Sequence, residues 1–66
     1  MKITVNGTEK KFDEHTSIFD VIEQEGVVEM MIAVARNGEH VPKDKWEDTN
    51  LKLGDIIDIV SPMQGG

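Results

Sequence analysis

With 66 residues, thirteen acidic and seven basic side chains and a formal net charge of −6, the chain has room for one domain near the lower size limit of a single core. Such a chain cannot line a deep pocket and also build the scaffold beneath it, and its acidity argues against a nucleic-acid partner. It has no cysteine, no apolar run near the ~18–20 residues of a membrane span and no signal-like start, so a cytoplasmic protein without disulfides, thiolate chemistry or a membrane partner is expected.

Met1, Ile3 and Val5 alternate with Lys2 and Thr4, the period of a half-buried strand. Asn6-Gly7 follows, and a tight hairpin turn needs positive φ at both central residues, which Asn and Gly supply. Thr8 to Phe12 is the return strand, with Phe12 toward the core. Its charges at Glu9, Lys10 and Lys11 suit an outer strand that must resist edge pairing. Ser17 is the expected N-cap of a helix, and Asp20 lies in its first turn, where a carboxylate suits the helix dipole. Ile18, Val21 and Ile22 form one apolar stripe, and Gly26 sits where a left-handed residue ends the helix. A helix this short does not stand alone, so it must pack on the sheet.

Met30 to Arg36 is the third strand, and Asn37-Gly38 turns it into Glu39-His40-Val41, which ends at Pro42 for want of a backbone donor. Lys43 to Leu53 is polar and irregular, with Trp46 and Leu51 as anchors and Trp46 read as a cover over the core. Leu53-Gly54-Asp55 is a turn to which no chemistry is assigned. Ile56 to Val60 is the closing strand, with Ile57 and Ile59 facing the helix and Ile59 expected to be buried. By the same alternation Ile56, Asp58 and Val60 face outward, beside Met31, Ala33 and Ala35 on the third strand. Ala33, Ala35, Ile56, Asp58 and Val60 are therefore the expected partner-binding face, since an exposed patch of small and apolar residues marks a contact site. His15 and His40 are placed in separate loops without metal-ligand spacing, and Asp13-Glu14 and Asp44/Asp48 read as solvated surface.

Two hairpins flanking one helix, then a closing strand, give an α+β domain over residues 1–60. The first and last strands should lie parallel at the centre of a mixed five-stranded sheet, because a long connection separates them. With the helix packed on one face this is a β-grasp, or ubiquitin-like, roll. Residues 61–66, Ser61-Pro62-Met63-Gln64-Gly65-Gly66, form a flexible tail ending in an α-carboxylate. Taken alone, two terminal glycines are most simply a frayed end.

The segments AVARNGEHVPKDKW (Ala33 to Trp46) and LGDIIDIV (Leu53 to Val60), followed by Gly65-Gly66, change that reading. Over nearly its whole length the chain resembles the ThiS family, the sulfur carriers of thiamine (thiazole) biosynthesis. The resemblance implies a protein cosubstrate rather than an enzyme, with no bound cofactor or metal. A ThiF-type adenylating enzyme would use ATP to convert the Gly66 carboxylate to an acyl-adenylate. A cysteine desulfurase system would supply sulfur to form a thiocarboxylate, and a ThiG-type thiazole synthase would consume it. Gly65, Gln64 and Met63 would thread into the partners' active sites, where absent Cβ atoms at the last two positions permit a narrow channel.

Lys43 stands where the family usually carries arginine, and Ser61-Pro62 is similar to the small subunit of molybdopterin synthase. That carrier, and a ubiquitin-like modifier conjugated through Gly66, are the alternatives that share the fold and the terminus. A regulatory β-grasp domain that binds RNA or a small ligand is a third class, and it needs no free terminus.

Overall fold

Within a computed structural model describing residues 1–26 and 32–61, the elements follow the expected order. They are β1 (Lys2–Val5), β2 (Thr8–Lys11), α1 (Ile18–Glu25), β3 (Ala33–Arg36), β4 (Glu39–Val41) and β5 (Ile56–Val60), with a 3-10 turn at Lys43–Lys45 in the segment expected to be irregular. The strands form a five-stranded sheet in the order β2-β1-β5-β3-β4. β5 lies at the centre, parallel to β1 and antiparallel to β3, so the sheet is mixed and the fold is the β-grasp roll.

Both Asn-Gly pairs make the turns that their chemistry requires. Asn6 and Gly7 have φ of 50° and 83°, and Asn37 and Gly38 have 52° and 85°. Two successive positive φ values match the right-handed twist of the paired strands, which keeps each hairpin in register. β2 and β4 become the two edges.

Alternation then sorts the side chains. Ile3 and Val5 of β1, Val34 of β3 and Ile57 of β5 point to one face, where Ile18, Val21 and Ile22 of α1 cover them. Trp46 and Leu51, from the segment between β4 and β5, complete this core. The Trp46 indole N–H donates to the Val41 carbonyl at 2.9 Å, so its one polar atom is paired despite burial. The structural-cover reading of Trp46 holds.

Both ends of α1 are satisfied. Ser17 Oγ accepts from the Asp20 N–H at 3.2 Å, while the Asp20 carboxylate accepts from the Ser17 N–H at 3.0 Å. The remaining N-terminal donors are met from outside the helix: Ile18 N–H reaches the Thr49 carbonyl and Phe19 N–H the Trp46 carbonyl. Gly26, at φ 71°, ends the helix with its N–H on the Ile22 and Glu23 carbonyls.

Four details differ from expectation. β2 ends at Lys11 rather than Phe12, although Phe12 N–H still donates to the Met1 carbonyl. β3 begins at Ala33, and the expected start at Met30 and the outward Met31 lie outside the described residues. His40 belongs to β4, not to a loop. Ile59 is only partly buried, because β1 stops at Val5 opposite Ile57 and leaves Ile59 flanked by β3 alone.

Candidate functional site

The register of β5 on β3 brings the expected face together. Ala33 pairs with Val60 and Ala35 with Asp58, so these four share the side of the sheet away from α1. Ile56, opposite Thr4 of β1, lies on the same side. On the far side of Ala35 the row continues to His40 of β4. Ala33 and Ala35 are half-buried and Asp58 is exposed. Ile56 and Val60 are 48% and 58% exposed, so two large apolar side chains among the described residues of this face are largely open. Leu53, in the turn before β5, is also exposed, at 75%.

β5 itself is held by two asparagines that the sequence showed only as turn residues. Asn37 N–H donates to the Ile56 carbonyl, and Asn37 Oδ1 accepts from the Ile56 N–H at 2.9 Å. At the other edge Asn6 N–H donates to the Ile57 carbonyl, and Asn6 Oδ1 accepts from the Ile59 N–H at 2.7 Å. Positive φ serves the turn, while the side-chain amide continues the pairing.

Asp55, assigned no role from the sequence, is buried just before β5. Its carboxylate accepts from the Lys52 N–H at 2.8 Å and from Asn37 Nδ2 at 3.1 Å. Arg36 Nη1 lies 3.8 Å away and donates to the Asn50 carbonyl. A buried carboxylate persists only when paired in this way, so Asp55 fixes the start of β5 against the β3–β4 turn.

The remaining candidates offer little chemistry. Asp13 accepts from the His15 backbone N–H and from the Thr16 hydroxyl, which together hold its carboxyl below the usual range. Among the described residues no group of three or more His, Asp or Glu is disposed to hold a metal. An open groove of about 480 Å³ is lined by Phe19, Lys43, Asp44, Trp46, Glu47 and Asp48. Among the described residues no helix is long and apolar enough to cross a membrane. The expected site residues Met63, Gln64, Gly65 and Gly66 lie outside the described residues, while β5, which leads to them, is fully described.

The ThiS family model matches residues 3–66. The chain is 28% identical to a ThiS thiamine biosynthesis protein from Geobacter metallireducens, whose crystal structure superposes with a TM-score of 0.83 over the whole of both chains. A solution structure of a thiamine biosynthesis protein from the same organism gives 0.79 at 28% identity, covering all of this chain and 88% of that one. A thiazole synthase of Paramagnetospirillum magneticum is 33% identical across all 66 residues. The chain spans only 20% of that protein's length.

Proposed function

The chain belongs to the ThiS family, and from that premise we propose that it is a sulfur carrier of thiamine biosynthesis, acted on by partner enzymes rather than catalytic itself. The observation that carries this reading is the family match over residues 3–66, which includes Gly66. In this reading the Gly66 carboxylate is the reacting group. A carboxylate is a poor acyl donor; attack of its oxygen on the α-phosphorus of ATP expels pyrophosphate and leaves AMP as a good leaving group. Persulfide sulfur from a cysteine desulfurase system then displaces AMP to form an acyl disulfide. A thiol reduces this to the thiocarboxylate and leaves as a disulfide, and a thiazole synthase transfers the sulfur to its carbon substrate.

Physical features of the chain support each part. The six residues after Val60 span roughly 20 Å when extended, enough to carry the carboxylate into another protein's active site. Val60 exposes apolar surface at the root of that tail and Ile56 does so at the other end of β5, along a face where a partner can dock while the tail threads. The similarity of this chain to part of a thiazole synthase favours an enzyme of that kind as the recipient. The chemistry requires no cysteine, and the chain has none. All of these partners act in the cytoplasm in this proposal.

The test is the mass of the purified protein after incubation with ATP, a ThiF-type adenylating enzyme and a desulfurase with cysteine. With a thiol reductant present, one oxygen-to-sulfur exchange, mapped to Gly66 and reversed by a thiazole synthase supplied with its carbon substrates, is the expected result. Conjugates to lysines of other proteins would replace this reading with a modifier. Reversal only by molybdopterin synthase would reassign the recipient pathway.

A further inference from the structure

β5 leaves the sheet with unequal support on its two sides. β3 pairs with it as far as Val60. β1 ends at Val5, opposite Ile57, so the Ile59 N–H lies beyond the last main-chain partner on that side. That N–H donates instead to Asn6 Oδ1 at 2.7 Å. Asn6 sits at φ 50° in the hairpin turn, and its own N–H donates to the Ile57 carbonyl at 2.9 Å. One residue thus turns the chain and also extends the parallel ladder, its side-chain carbonyl standing where a longer β1 would offer a backbone carbonyl.

We propose that Asn6 is a positioning residue for the reacting terminus: through Ile59 it fixes the end of β5, the root from which that terminus must reach a partner. The assignment rests on the carrier reading above. A displacement of Val60 moves the root from which the terminus must reach its partner, and a misplacement of about 1 Å at a reacting group can cost ~100-fold in rate. Without the Asn6 amide, the end of β5 is held by β3 alone and the Ile59 N–H must find water. Asn37 makes a comparable clasp on Ile56, but at the end of β5 remote from the tail.

Two substitutions separate the amide from the turn. Asn6→Gly keeps the positive φ and removes the acceptor, whereas Asn6→Asp keeps both. Each variant is compared with wild type by amide exchange at Ile59 and by ATP–pyrophosphate exchange with a ThiF-type enzyme. Asn6→Gly is expected to speed Ile59 exchange and to lower kcat by about tenfold with KM unchanged, because the docking face is intact while the carboxylate is misplaced. Asn6→Asp should restore both. Wild-type kcat in Asn6→Gly, or a loss that Asn6→Asp does not rescue, would overturn the assignment while leaving the carrier reading in place. Failure of the wild-type chain itself to support exchange would remove the carrier reading, and this assignment with it.

Discussion

At the scale of single residues, burial decides cost. Ile57 is fully buried between β5 and α1, and Ile57→Ala should cost about 2–5 kcal/mol through lost transfer energy and a residual cavity. Ile59, on the same face but only partly covered, should cost about 1–2 kcal/mol on the same truncation. Urea denaturation of both variants checks the ranking; equal costs would mean that Ile59 is as enclosed as Ile57. Alternation alone gave these two the same face, and could not give the length of the neighbouring strand that separates their burial. The same limit applies to the polar residues. Asn6 and Asn37 were legible as turn residues because the φ requirement is local, but their amides bond partners 53 and 19 residues away. Asp13 offers a test in pH: donation by the His15 N–H, then by the Thr16 hydroxyl, stabilises its charged form and lowers its folded pKa. The folded state therefore holds that proton less tightly than the unfolded chain. Its contribution is complete above the ordinary carboxylate range and disappears as pH falls through the lowered value. A melting-temperature gap between wild type and Asp13→Ala at neutral pH should accordingly close on acidification; a gap that persists would assign the effect to something other than the charge.

At the scale of elements, α1 and the two hairpins were readable because each carries its own punctuation: Ser17 and Gly26 at the helix ends, Asn-Gly at each turn. The segment from Lys43 to Leu51 has no such signal. Its order comes from distant partners, since its carbonyls at Trp46 and Thr49 close the start of α1 and its Leu51 N–H donates to Thr16. Trp46 and Leu51 were identifiable as anchors only because they are apolar residues in a polar stretch. The outer face of the sheet was legible from the period of two, and β3 and β5 present it as expected. Its role is tested by Ala35→Arg. Ala35 is half-buried between Asp58 and His40 on neighbouring strands, and it points away from the core. The fold should persist by circular dichroism, while binding to both the adenylating enzyme and the thiazole synthase weakens, because a long charged group must be desolvated where a methyl is accommodated. Undiminished binding and full thiocarboxylate formation would take this face out of the interface.

At the scale of the whole molecule, the described core and the proposed chemistry occupy different parts of the chain. The buried core residues run from Ile3 to Ile57, and the proposed reacting group is at Gly66. Deleting Gly66 should therefore leave melting unchanged and abolish activation. The shortened chain still ends in a carboxylate, so charge is conserved and only reach changes, by roughly 3.5 Å at the reacting carbon. Near-attack geometry does not absorb a shift of that size, given that about 1 Å can cost ~100-fold. Gly65→Val reaches the same end by another route: length is kept, but a branched Cβ narrows the backbone's choices and fills space that a tight channel reserves for bare chain. Both variants should melt like wild type and give little or no ATP–pyrophosphate exchange with the ThiF-type enzyme. The pair is informative because the two lesions share only the placement of the carboxylate. Exchange at the wild-type rate by the Gly66 deletion would overturn the carrier reading, whereas a defect confined to the Gly66 deletion would mean that the channel reads length and not width.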